Sequence, residues 1–227
     1  MIKGILFDFD GTLANTIDLI VATFEHTCTT ALGFKPPRQE IINTIGLPLG
    51  EALELLSGIH EPERILQLRQ IYGQFNADNH DTMIKSIEGV AELLPELRRR
   101  NIKLAVVSSK KLYMLQRGMN CLGMTQYIDA TVSVLDTEHG KPAPDPMLLA
   151  CERLGLAPDE CLCVGDSPFD MQSGNAAGCV TVAVEYTQLD WQSLLEQGKP
   201  DYTISQPLDL LQLLDKLAAT ALPNDRN

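Results

Sequence analysis

Four short clusters of polar residues have the types and spacing to hold a hard cation and a phosphate. The first is Asp8-Phe9-Asp10-Gly11-Thr12, where two carboxylates leave a short apolar run together and Gly11 permits a sharp turn. Carboxylates so placed can bind a divalent metal, and one can attack while the other handles protons. The second, Ser108-Ser109-Lys110, offers a hydroxyl and backbone amides to phosphate oxygens. The third is Lys141 in the segment GKPAPD, whose ammonium can neutralise a transferred phosphoryl group while the prolines restrict the turn after it. The fourth is Gly165-Asp166-Ser167-Pro168-Phe169-Asp170. There Asp166 can complete a metal site, and Asp170 can ligate the metal or orient its water shell. Each cluster alone has a plain structural reading: an acidic turn, serines or aspartates capping a helix, a solvated lysine. None of those readings explains all four together.

What the clusters share is position. Each falls at the end of, or shortly after, a short apolar run that reads as a buried strand: Ile2 to Phe9, Lys103 to Val107, Ala130 to Val134 and Cys161 to Val164, with Val180 to Val184 a fifth. Between them lie segments of helical periodicity, Val90 to Arg100, Leu112 to Leu122, Pro146 to Leu154 and Phe169 to Ala177, the last followed by Gly178 as a C-cap. Strand alternating with helix predicts a doubly wound α/β domain, a parallel sheet covered on both faces in the Rossmann-like manner. Residues 16–84 break the alternation with three helical patterns (Leu19 to Leu32, Gly50 to Ser57, Glu63 to Asn76) and no buried strand. They read as a helical cap inserted into a core of 1–15 and 85–227. Leaving directly after the first strand, the insert is expected above the strand C-termini, where ligands bind in open α/β sheets. The final residues ALPNDRN read as a frayed tail.

Composition narrows the field. A chain of 227 residues with 44% hydrophobic content can bury a sizeable core. Its six cysteines lack the paired spacing of a zinc site and read as reduced core thiols, with Cys161 and Cys163 on one face of a strand. The N-terminal run is too short for a signal peptide, and no stretch approaches the roughly 20 apolar residues of a membrane span. The cytoplasm is the expected location. A formal charge of −12 argues against nucleic acid and anionic membranes as partners, but not against a small anion at a locally positive site. A monomer or homodimer is expected.

The ordered set DFDGTL, VVSS, GKPAPD and GDSPFD resembles the four motifs of the haloacid dehalogenase superfamily, over roughly Ile2 to Val184. The helical insert is similar to the cap of its phosphoglycolate phosphatase and β-phosphoglucomutase branch. The resemblance implies a phosphatase with Asp8 as nucleophile, Asp10 as general acid and base, and Ser108 and Lys141 as phosphoryl clamps. It implies Mg²⁺ held by Asp8, the Asp10 backbone carbonyl and Asp166, with Asp170 at the second acidic position of the fourth motif. Gly11, Thr12 and Ser109 are the expected phosphate-binding neighbours. The second motif departs from the family's more usual Thr-Asn, which keeps the hydroxyl but alters contacts at Ser109.

Asp10 separates this chain from the dehalogenase branch, which lacks the second aspartate. The cap stretch Ile45 to Leu53 contains no lysine for phosphonatase chemistry and none of the basic residues of a β-phosphoglucomutase. The loop Gly46-Leu47-Pro48-Leu49 resembles phosphoglycolate phosphatase and the related pyrophosphatases. A small phosphate ester is therefore the expected substrate, 2-phosphoglycolate first, with pyrophosphate or a sugar phosphate as alternatives. Arg38, Lys35 and Arg64 are candidate cap contacts, each better explained as a solvated charge. A phosphate-binding regulator on the same scaffold would be expected to have lost one of Asp8, Asp10, Lys141 or Asp166.

Overall fold

The apolar run behind Asp8 forms β1 (Gly4–Phe7), every residue of it buried. The structure is a computed structural model that describes residues 1–220, so the tail expected at 221–227 lies outside the described residues. After β1 the chain makes β2 (Ala14–Asn15) and four helices, α1 (Ile17–Leu32), α2 (Arg38–Ile42), α3 (Leu49–Ser57) and α4 (Pro62–Met83), before β3 (Lys85–Ser86). Strand and helix then alternate through α5 (Val90–Arg99), β4 (Lys103–Val107), α6 (Leu112–Cys121), β5 (Ala130–Val132), α7 (Asp145–Leu154), β6 (Cys161–Gly165), α8 (Pro168–Ala177) and β7 (Val180–Val184). The turn α9 (Trp191–Ser193), β8 (Tyr202–Ile204) and α10 (Asp209–Thr220) complete the described chain.

The six-stranded sheet has the order β5-β4-β1-β6-β7-β8, all neighbours parallel. The chain steps outward from β1 through β4 to β5, then crosses back to β6 on the other side of β1. That reversal opens a crevice at the strand C-termini, the usual ligand position in such sheets. Register does the rest: Phe7 lies opposite Val106 on one side and Val164 on the other, so Asp8, Ser108 and Asp166 emerge at the same edge. Alternating side chains feed two cores, as a parallel sheet buried on both faces requires. Ile5, Phe7, Leu104, Val106, Leu162 and Val164 pack under α5, α6 and α10. Leu6, Ala105, Val107, Cys161 and Cys163 pack under α7. All six cysteines are free thiols.

Helices α1 to α4 have an apolar cluster whose buried members all come from residues 17–68, among them Ile20, Phe24, Ile41, Leu53 and Leu68. Their two connections to the sheet run side by side, since β2 and β3 pair antiparallel, Ala14 with Ser86 and Asn15 with Lys85. The helix expected to stop near Asn76 continues to Met83. Tertiary contacts carry it on: Arg117 of α6 donates to the Ala77 carbonyl at 2.9 Å and pairs with Asp81, while His80 is buried. The sequence reading also ended its strands at Val184, whereas β8 adds an edge strand and α10 lays Leu210, Leu213 and Leu214 on the first core. No helix among the described residues is long and apolar enough to cross a membrane.

Candidate active site

Asp8 follows β1 directly, its backbone amide bonded to the Val164 carbonyl at 2.9 Å. The Lys141 ammonium, its side chain 4% exposed, donates to Asp8 Oδ1 and Asp170 Oδ1, both at 2.6 Å, and to the Val107 carbonyl at 2.8 Å. All three donor positions of the ammonium are thus used. Burial alone would pull the Lys141 pKa down, but Asp170 and Asp8 hold it above its ordinary value. Burial pushes the Asp8 carboxyl up to about 7, Lys141 opposing and Asp170 and Asp10 adding to the rise. Asp166, buried beside them and accepting from the Thr187 hydroxyl at 3.2 Å, is pushed well up by burial, then by Asp8 and Asp170.

Asp8, Asp166 and Asp170 each offer an oxygen within 4.8 Å of the others, an all-oxygen set that suits Mg²⁺ or Ca²⁺ better than a soft metal. Gly11 clears the space: at φ +80° it takes a turn that L side chains avoid, and a Cβ there would lie 2.1 Å from Asp166 Oδ2. A side chain at position 11 would thus collide with Asp166. Asp170 already has its oxygens engaged, Oδ1 by Lys141 and Oδ2 by the Ser167 amide and hydroxyl at 3.1 and 2.6 Å. It closes a capping box on α8 with Ser167, so the helix-cap reading of this segment holds together with the ion pair. Asp8 and Asp166 are the carboxylates better able to accept a cation.

The second carboxylate of the first motif faces elsewhere. Asp10 accepts from the Thr16 hydroxyl on Oδ1 and pairs with Lys110 Nζ at 2.9 Å on Oδ2. Ser108 is buried and its Oγ accepts the Lys110 amide at 3.2 Å. The serine pair does not cap α6, whose N-cap is Lys111 with no side-chain bond. Ser109 Oγ donates to the Gly46 carbonyl at 3.0 Å, bringing the loop before α3 onto the site. Gly46, at φ +100°, has the Phe169 ring 3.0 Å from where a Cβ would be. The Thr12 hydroxyl is buried without a partner among the described residues, and its carbonyl accepts from Tyr186 at 3.2 Å.

A family profile described as haloacid dehalogenase-like hydrolase matches residues 5–184, a span that holds all four motifs. The chain belongs to the haloacid dehalogenase-like hydrolases. A Clostridium perfringens relative, provisionally named pyrophosphatase PpaX, is 40% identical over 217 residues, covering 96% of this chain and 99% of the relative. Pyrophosphatase PpaX of Bacillus mycoides is 34% identical over 216 residues, covering 95% of this chain and 98% of its own. The solved structure of a provisionally assigned haloacid dehalogenase-like hydrolase from Bacteroides fragilis matches with a TM-score of 0.85 at 27% identity, covering 92% of this chain and 100% of that one.

In this hydrolase the three candidate cations of residues 16–84 each have partners of their own. Arg38 pairs with Asp18 at 2.7 Å and donates to Gln188 Oε1 at 3.3 Å, Lys35 pairs with Glu25 at 3.0 Å, and Arg64 bonds Gln67 at 2.7 Å and the Ala31 carbonyl at 3.1 Å, all three exposed. The residues that sequence reasoning gave no role are Thr16, Lys110 and Thr187. Lys110 stood in the second motif and was visible as a cation two residues beyond Ser108, but nothing local says that it reaches Asp10. Tyr72 of α4 is a fourth, packed edge-on to Phe24 at 4.9 Å. Burial and the Asp10 charge push its hydroxyl up.

Proposed function

We propose that this hydrolase is a Mg²⁺-dependent phosphatase in which Asp8 attacks phosphorus and carries the phosphoryl group as an aspartyl phosphate. The observation behind this reading is the Asp8 carboxylate fixed at 2.6 Å by Lys141, beside the carboxylates of Asp166 and Asp170. Lys141 and Ser108 would grip the transferred group, which asks a protein mainly for alignment and charge neutralisation. Asp10 would protonate the leaving oxygen, then take a proton from the water that frees Asp8. A divalent cation held by Asp8, Asp166 and the Asp10 carbonyl would supply the positive charge that offsets repulsion between Asp8 and the phosphate. Residues 16–84 would act as a cap, the Gly46 loop resting on Ser109 to exclude bulk water.

Inorganic pyrophosphate is the substrate we favour, ahead of 2-phosphoglycolate, because the relatives at 40% and 34% identity are named for that activity. The absence of a basic residue from Ile45 to Leu53 places a sugar phosphate mutase last. A turnover panel of pyrophosphate, 2-phosphoglycolate, hexose phosphates, nucleotides and a generic aryl phosphate tests this. Pyrophosphate should exceed the aryl phosphate in kcat/KM by about a hundredfold. A lead for 2-phosphoglycolate would move the assignment to it, and no substrate above the aryl phosphate would end both.

The raised carboxyls give the metal claim its own test. In the metal-free protein Asp8 keeps its proton up to about 7, whereas the unfolded chain releases it near 3.8. The folded state binds more protons across that window, so its stability falls as pH rises through it. A cation must displace those protons and binds more tightly as they leave. The thermal stabilisation by magnesium chloride should therefore be larger at about pH 8 than at about pH 5.5. Equal stabilisation at both would contradict a carboxylate metal site.

A further inference from the structure

We propose that Lys110 is the specificity-determining residue for the leaving group, and that it selects substrates whose leaving group is itself an anion. This deepens the phosphatase reading and rests on it. Lys110 Nζ lies 2.9 Å from Asp10 Oδ2, its side chain partly exposed at 18%. Its backbone is fixed on both sides, the amide on Ser108 Oγ at 3.2 Å and the carbonyl accepting from Val134 at 3.0 Å. The ammonium thus starts from a rigid base at the ends of β4 and β5, on the Asp10 side of the site.

The geometry follows from what Asp10 would do. A general acid must come within about 2.6–3.2 Å of the oxygen it protonates, so Lys110 Nζ stands within about 6 Å of the leaving oxygen. Whatever is bonded to that oxygen lies near the ammonium. A neutral alkyl or aryl group leaves Lys110 with Asp10 as its only acid, but a second phosphoryl group or a carboxylate supplies an anion that it can reach. Lys141 is held on the nucleophile's side by Asp8, Asp170 and the Val107 carbonyl, where it faces the transferred group rather than the leaving group, while Arg38 is bonded to Asp18 and Gln188, Lys35 to Glu25, and Arg64 to Gln67 and the Ala31 carbonyl. With Thr16 on the other oxygen of Asp10, Lys110 can turn toward the substrate without releasing that carboxylate.

The test compares kcat/KM for pyrophosphate, for 2-phosphoglycolate and for a generic aryl phosphate in the wild type, Lys110→Met and Lys110→Arg. Methionine keeps the stem and removes the charge. Lys110→Met should lose about a hundredfold on the better anionic-leaving-group substrate, mostly through KM, and about tenfold less than that on the aryl phosphate, which feels only the lost contact with Asp10. Lys110→Arg should keep most of the preference. If the wild type prefers an anionic leaving group and Lys110→Met keeps that preference, the role of Lys110 is overturned while the phosphatase reading stands. If the wild type hydrolyses the aryl phosphate but shows no preference, selection by Lys110 and the pyrophosphate assignment both fail. If the wild type releases phosphate from none of them, the phosphatase reading itself fails and takes this inference with it.

Discussion

Asp8→Asn should cut phosphate release by about 10⁴-fold or more, the loss expected when a nucleophile that acts as a unit with its neighbours is removed. The fold should survive it. Asp8 is buried with its pKa raised to about 7, so its ionisation in the metal-free protein works against folding above the unfolded value of 3.8. The near-isosteric amide removes that opposition, and Lys141 still has Asp170 at 2.6 Å. Metal-free Asp8→Asn should therefore unfold at the same temperature as the wild type or higher near neutral pH, with a flatter dependence on pH between about 4 and 7. Circular dichroism melts across that range check it. An inactive variant that is also strongly destabilised would mean that Asp8 is part of the scaffold first.

Lys141→Met should do the reverse, losing activity and stability together. Removing one partner from a buried ion pair leaves uncompensated charge, which costs about 3–5 kcal/mol. Here both Asp8 and Asp170 lose their partner, and the side chain concerned is 4% exposed. Denaturant unfolding of the metal-free protein should show that loss. Adding Asp8→Asn to Lys141→Met should recover part of it, because one of the stranded charges disappears, a coupling that independent sites would not show. A Lys141→Met variant as stable as the wild type would mean that water reaches the pocket and the ion pair is screened.

The residues that sequence reasoning could read are those whose role is set within a few positions. Asp8 and Asp166 stand at the ends of apolar runs, and parallel pairing through Phe7 with Val164 makes two such ends neighbours whatever the loops do. The six-strand order needed one more element than the runs announced, because β8 is a three-residue edge strand and carries little pattern of its own. Asp170 shows why a local reading can be correct and incomplete. Its spacing from Ser167 predicts a helix cap, which it makes, but its second oxygen meets Lys141 from a loop 29 residues away. Lys110 and Asp10 are further apart still, and Ser109 finds Gly46 across 63 residues. Contacts of that kind depend on how loops close after the sheet has formed, and no periodicity encodes them. The α4 helix overran its expected end for the same reason: α6 supplies the partners that keep its last turns folded.

The central claim is that Asp8 is phosphorylated during turnover. It is tested most directly by acid-quenching the wild-type enzyme while it turns over saturating pyrophosphate with magnesium, then mapping its peptides by mass. The account predicts one added phosphoryl group on the peptide that contains Asp8, labile to hydroxylamine and absent from Asp8→Asn. Phosphate release with no such adduct, or an adduct on any other residue, would contradict it.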